Sequence, residues 1–184
     1  ISGQTVEKNV SFVAGGVLKI TAIRDGQPFE ARVDVYRHSD NKSMGSKNTW
    51  YHNKPAEFKL VPGTYYLKVT DRSVTPHQRQ EIRDIEIISG QTVEKNVSFV
   101  AGGVLKIKAI RDGQPFEARA DVYRQSDNKR IGDKNTWYHK KPAEFKLVPG
   151  VYYLKVFDRK TREKKEIRDI EVVSGRTVEK TVVF

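Results

Sequence analysis

The first twelve residues, Ile1-Ser2-Gly3-Gln4-Thr5-Val6-Glu7-Lys8-Asn9-Val10-Ser11-Phe12, return unchanged as residues 88–99, 87 positions further along. The match runs on to Arg72, opposite Arg159, and only nine positions in it differ: Thr21/Lys108, Val33/Ala120, His38/Gln125, Ser43/Arg130, Met44/Ile131, Ser46/Asp133, Asn53/Lys140, Thr64/Val151 and Thr70/Phe157. A copy this faithful restricts the fold to something the chain can build twice. A unit of that length is too long for one turn of a solenoid and long enough for a self-contained domain.

Past Arg72 the copies part. Residues 73–81 are answered by the shorter 160–166, and similarity resumes at Ile82-Arg83-Asp84-Ile85-Glu86 and Ile167-Arg168-Asp169-Ile170-Glu171. A change of length is tolerated where backbone is exposed, so a surface loop is expected there. A third partial copy, Val173-Ser174-Gly175-Arg176-Thr177-Val178-Glu179-Lys180, closes the chain. Two bodies therefore share three copies of one segment. The expected frame is a body followed by its segment, 13–99 and 100–184. Residues 1–12 would then be the last strand of a preceding repeat, in a parent protein with more copies. The opposite frame, with the segment leading each body, is the alternative.

Within one unit the hydrophobic pattern has period two. Phe29, Ala31, Val33 and Val35 alternate with Glu30, Arg32, Asp34 and Tyr36, as in a half-buried strand. Residues 17–23 form a second apolar run, and Asp25-Gly26 between the two supplies the positive φ angles of a tight hairpin. Ser39-Asp40-Asn41-Lys42 is a polar turn cluster. Further strands are expected at 48–52, 56–60, 65–69, 82–88 and 92–99, with Pro62-Gly63 and Ser89-Gly90 as turns and a bulge near Ile82, where the phase slips. Seven short strands per unit and no helical stripe predict an all-β chain of two tandem antiparallel sandwiches.

Residues 55–69, containing Phe58-Lys59-Leu60-Val61-Pro62-Gly63-Thr64-Tyr65-Tyr66-Leu67-Lys68-Val69, resemble the F-x-L-x-P-G-x-Y-x-L-x-V signature of prealbumin-like modules, and 142–156 match it equally. That group includes carboxypeptidase-regulatory-like domains and the CnaB-type repeats of bacterial surface proteins. The resemblance implies a seven-strand sandwich and an extracellular or cell-envelope setting, not an activity. CnaB modules with internal Lys–Asn bonds carry a Glu at the end of the Tyr-x-Leu-x strand. Here Val69 and Val156 stand in that place, so Lys19 and Lys106 lack the proton-shuttling carboxylate and no isopeptide bond is expected.

Chemistry finds little to work with. There is no cysteine, which excludes disulfides and thiolate sites. The four histidines, His38, His52, His77 and His139, are too few and too scattered for a metal site or a nucleophile–His–acid arrangement. Gly15-Gly16 and Gly102-Gly103 precede strands, so they read as inter-domain hinges rather than phosphate loops. No catalytic residue, metal or cofactor is expected, and no run approaches the ~18 apolar residues of a membrane helix.

The net charge of +11 comes from 34 Lys and Arg against 23 Asp and Glu, interspersed without a block of one sign. That pattern suits a solvated surface, and the aromatics are too few for a nucleic-acid partner. The segments Trp50-Tyr51-His52 and Trp137-Tyr138-His139 could stack a sugar ring from a strand face, or simply have one ring packed and the other exposed. The first functional expectation is a non-enzymatic structural repeat of a stalk, fibre or filament. It would pair with copies of itself or neighbouring repeats, with Val6, Lys8, Val10 and Phe12 as an inter-subunit strand. The alternative is a module binding an anionic glycan or cell-wall polymer through Trp50 and Trp137.

Overall fold

A computed structural model describes residues 13–184 and is all-β apart from one 3-10 turn at Tyr138–Lys140. Two compact units are formed. One comprises residues 13–22, Phe29–Val69 and Gln80–Val97; the other comprises Ile23–Pro28, Thr70–Arg79 and Ser98–Phe184.

The first run of strands is β1 (Gly16–Arg24), β2 (Gln27–Phe29), β3 (Arg32–Arg37), β4 (Ser43–Asn48), β5 (Ala56–Leu60), β6 (Gly63–Asp71), β7 (Gln78–Ile87) and β8 (Thr92–Phe99). The second copy repeats it as β9 (Gly103–Arg111), β10 (Gln114–Pro115), β11 (Arg119–Arg124), β12 (Arg130–Asn135), β13 (Ala143–Leu147), β14 (Gly150–Phe157), β15 (Lys164–Val172) and β16 (Thr177–Val183). In each copy one sheet has the order β4-β3-β6-β7 (β12-β11-β14-β15). In the other, β1 (β9) is flanked by β2, β5 and β8 (β10, β13 and β16).

Eight strands form per copy where seven were expected. The run 29–36 breaks at Glu30-Ala31 into β2 and β3 while keeping its phase: Ala31, Val33 and Val35 are buried and Glu30 is exposed. The strand expected at 48–52 lies earlier, as β4, and residues 49–52 form a turn. β4 escaped notice because it is an edge strand exposed on both faces, so Ser43-Met44-Gly45-Ser46-Lys47-Asn48 carries no apolar alternation. The bulge near Ile82 is present: Asp84 and Asp169 both have φ of 55°, and the β14–β15 register shifts beside Tyr152.

Asp25 (φ 51°) and Gly26 (φ 77°) make the hairpin turn that the Asp-Gly pair calls for. The core of the second copy is Leu105, Ile107, Val122, Phe145, Leu147, Tyr152, Leu154, Val156, Ile170, Val172 and Val182, all contributed by alternating strand positions. Its counterparts in the first copy, from Leu18 and Ile20 through Tyr65 and Leu67 to Val97, are equally buried.

Each copy is closed by the strand that follows it in sequence. β16 runs parallel to β9, from Thr177 opposite Val104 to Val183 opposite Ile110, and β8 pairs with β1. The turn before β16 is tied down by the Gly175 amide on the Gly102 carbonyl (3.0 Å) and the Val104 amide on the Arg176 carbonyl (2.8 Å).

This close approach is why glycine stands at the strand starts. A Cβ on Gly16 would lie 2.4 Å from the Ile88 carbonyl oxygen, and one on Gly103 2.4 Å from that of Val173. A Cβ on Gly15 or Gly102 would lie 2.9 Å from the Leu60 or Leu147 oxygen. Close packing therefore calls for glycine at all four positions, with Val74 Cγ1 only 2.5 Å from a Cβ on Gly102. The proposed inter-subunit strand, Val6, Lys8, Val10 and Phe12, lies outside the described residues.

Candidate functional site

The Trp-Tyr-His segment begins at a buried threonine. The Thr49 hydroxyl donates to the Phe29 carbonyl (2.7 Å) and accepts the Ala31 amide (3.0 Å), while the Thr49 amide donates to the Ala31 carbonyl (2.8 Å). Thr136 repeats this with Phe116 (2.9 Å) and Ala118 (3.0 and 2.8 Å). Past that anchor the chain folds tightly on itself. Trp50, His52 and Asn53 have φ of 56°, 54° and 58°, and Trp137, His139 and Lys140 have 56°, 52° and 58°. Three non-glycine residues in the left-handed region cost roughly 1–2 kcal/mol each. The Asn53 amide closes the turn on the Trp50 carbonyl (3.1 Å), as Lys140 does on Trp137 (3.1 Å).

This geometry corrects the picture of a Trp–Tyr pair displayed on a strand. Trp50 and Trp137 are half-buried, whereas Tyr51 and Tyr138 are 61% and 59% exposed. The tyrosine ring leans on the next residue's imidazole, with centroids 4.1 Å apart in both copies and ring planes tilted by 59° and 58°. Tyr51 and Tyr138 each border an open concavity, about 530 Å³ in the first copy and 700 Å³ in the second. The shared walls are Lys47, Asn48, Tyr51, Pro55, Ala56 and Glu57, or Lys134, Asn135, Tyr138, Pro142, Ala143 and Glu144.

The concavity sits between the edge strands of the two sheets, β4 and β5. Lys47 reaches across it, its Nζ donating to the Glu57 backbone carbonyl while lying 5.3 Å from the Phe58 ring centre. Lys134 does the same with Glu144 and Phe145. One lysine per copy thus caps an edge carbonyl and covers the core aromatic behind it. The Glu57 and Glu144 carboxylates are paired with Lys19 and Lys106 (3.2 Å each) on the outward face of β1 and β9. These lysines are therefore on the solvent side, away from the buried Val69 and Val156.

Two features escaped sequence reading. On the outer face of the β3–β6 pair, Tyr36 and Tyr66 stack at 5.0 Å and 12°, with Lys68 5.4 and 5.7 Å from the two ring centres and Arg83 5.1 Å from Tyr66. Tyr123, Tyr153, Lys155 and Arg168 repeat the stack. Its signal in the sequence is two tyrosines at outward positions of strands that prove to be neighbours.

The second feature is a buried carboxylate. Asp158 is 1% exposed, bonded to the Arg111 guanidinium, the Lys160 amide (2.8 Å) and the Thr161 hydroxyl (2.8 Å). Burial opposes its ionisation, but these hydrogen bonds outweigh burial and hold it at about 2. Asp40 and Asp127 are also held at about 2, chiefly by hydrogen bonds from Arg37 and Arg124. A carboxylate with a pKa lower folded than unfolded stabilises the fold above its unfolded value near 3.9, and loses that contribution as pH falls towards 2. Urea midpoints should therefore fall between about pH 4 and pH 2, and Asp158→Asn should flatten that dependence for the second unit.

Among the described residues, no three His, Asp or Glu side chains are placed to hold a metal ion. His52 and His139 are spent against their neighbouring tyrosines.

No family model matches the chain, and no curated protein matches it. Solved structures of similar shape include the Bacillus anthracis TIE protein, 21% identical with a TM-score of 0.42, covering 92% of this chain and 34% of that one. GBS52, the minor pilin of Streptococcus agalactiae, is 10% identical with a TM-score of 0.45, covering 91% and 94%. The shaft pilin SpaA of Lactobacillus rhamnosus GG is 8% identical with a TM-score of 0.46, covering 94% and 98%. The chain thus spans about a third of the Bacillus anthracis protein.

Proposed function

We propose that this chain is a non-enzymatic structural segment of an extracellular stalk, fibre or filament, built from prealbumin-like repeats with boundaries at 13–99 and 100–184. The observation that carries the reading is the repetition itself: two sandwiches of nearly the same sequence, each closed by its own following strand, with the sequence of that segment present once more at the start of the chain. Side chains that an enzyme would bring together are spent on packing, edge protection and surface ion pairs. In this reading residues 1–12, with Val6, Lys8, Val10 and Phe12, complete a preceding repeat or pair with an open sheet edge of a neighbouring chain.

Two measurements test it. Negative-stain imaging of the parent protein on its native surface should show thin beaded extensions, and a compact isolated particle would overturn the stalk. Sedimentation should show that removing residues 1–12 reduces self-association, and unchanged assembly would overturn strand addition while leaving the stalk intact.

A further inference from the structure

The loops in which the two copies differ start from the same anchor and then diverge. Asp71 is fully buried and takes the Arg24 guanidinium (3.0 Å) and the Ser73 amide (2.8 Å), as Asp158 takes Arg111 and the Lys160 amide. Past this anchor the second loop turns back on itself. Its Arg162 amide donates to the Asp158 carbonyl (2.9 Å), and the Asp158 amide donates to the Glu163 carbonyl (3.0 Å). The first loop runs outward instead, and Thr70–Arg79 belong to the second compact unit.

Within that unit Thr75 forms a short parallel bridge to Leu147. Its amide donates to the Lys146 carbonyl (2.8 Å), and its carbonyl accepts the Val148 amide (3.4 Å). Val74 is only 3% exposed although Ser73 and Thr75 on either side are exposed, and its Cγ1 fills the space over Gly102 where a Cβ would stand. The Gln78 side-chain amide donates to the Val100 carbonyl (2.6 Å) and accepts the Val100 amide (3.4 Å). An apolar side chain seated on a glycine and flanked by main-chain hydrogen bonds is how a sheet edge captures an extended segment.

We infer that this end of a repeat is a docking surface for a Val-Thr-Pro loop, and that its twin on the first copy takes the same loop from a preceding repeat. The two surfaces are identical in sequence: Val13-Ala14-Gly15-Gly16 matches Val100-Ala101-Gly102-Gly103, and Lys59-Leu60-Val61-Pro62 matches Lys146-Leu147-Val148-Pro149. Their cover differs. Ala14 and Gly15 are exposed where Ala101 is buried and Gly102 half-buried, and Val61 is 53% exposed where Val148 is half-buried. Among the described residues, a Cβ on Gly15 would meet only the Leu60 carbonyl, with no counterpart of Val74 above it. The segment that fills the second surface, Val74-Thr75-Pro76, therefore identifies the occupant of the first. The loop of the second copy, residues 160–166, has no such sequence and supplies no such clasp. The inference rests on the repeat reading for the existence of a preceding copy, but the surface is tested without one.

The test is a titration of the isotope-labelled chain with a blocked peptide of residues 71–80, followed by amide chemical shifts. At several millimolar the peptide matches the local concentration that a short tether provides. The amides of Gly15 and Val61 should shift, while those of Gly102 and Val148, already covered from within the chain, should not. Val74→Asp in the chain should vacate the second surface, so that the peptide then shifts Gly102 and Val148 as well. Unaltered shifts along β3 and β11 report that this variant is folded. A peptide carrying Val74→Asp should bind roughly tenfold or more weakly, and a peptide of residues 158–165 should not bind. No shift at Gly15 and Val61, equal binding by the Val74→Asp peptide, or binding by the 158–165 peptide would each overturn the docking surface. The imaging of the stalk stands or fails separately from all of these.

Discussion

Tyr152→Ala should lower the stability of the second unit by about 3–5 kcal/mol, enough to unfold a small domain under mild denaturant. The side chain is 1% exposed and lies at the centre of the apolar cluster, and its hydroxyl donates to the Val148 carbonyl at 2.6 Å. Burial also raises the pKa of its phenol, so the group stays neutral across the working range. Truncation would remove the ring and leave a cavity that the rigid sandwich cannot close. Tyr152→Phe separates the two contributions: it keeps the ring and loses only the hydrogen bond, at about 1 kcal/mol. The repeat supplies the control. Urea unfolding of Tyr152→Ala should split into two transitions, the later one at the midpoint of the unaltered first unit, where Tyr65 remains in place. A single transition shared by both units would show that they do not unfold separately.

Gly103→Ala is the second large effect, expected to cost about 1–3 kcal/mol. The methyl group would stand 2.4 Å from the Val173 carbonyl oxygen and 2.6 Å from Val172 Cγ1. The nearer of these is backbone, so the clash cannot be relieved by turning a side chain, and β9 must draw back from the turn that leads into β16. Gly113→Ala is the comparison: nothing lies within 4 Å of its Cβ, but φ is +74°, so its cost comes from conformation alone. Amide exchange should distinguish them. Gly103→Ala should loosen protection along β16, whereas Gly113→Ala should leave it unchanged.

Much of the fold was legible because the strands that build the core alternate. Val33 and Val35 against Arg32 and Asp34, or Leu67 and Val69 against Lys68, report their facing directly. The Asp-Gly turn and the bulge near Ile82 announced themselves through φ preference and a slip of phase. What stayed hidden lacked such a pattern. The edge strand β4 buries neither face. The loop at Trp50–Asn53 holds left-handed residues where no glycine marks them, and its aromatic content made it look extended. Its anchor, Thr49, is a buried polar residue whose partners lie about twenty positions upstream, a pairing that periodicity does not encode. The segment reads as an extended strand in sequence, and which of its rings is exposed, Tyr51 rather than Trp50, depends on the sense of a turn that the pattern does not encode.

The parallel pairing of β16 with β9 has a mechanical consequence. The two strands are the last and first of their sandwich, and they lie side by side over seven residue pairs from Thr177 to Val183. Tension drawn along the polypeptide would pull them past one another lengthwise. The ladder bonds, set across the direction of pull, would then share the load together instead of parting one after another from an end. Resistance to such pulling is governed by the unfolding barrier rather than by equilibrium stability. A domain closed in this way should hold under tension better than its modest size suggests.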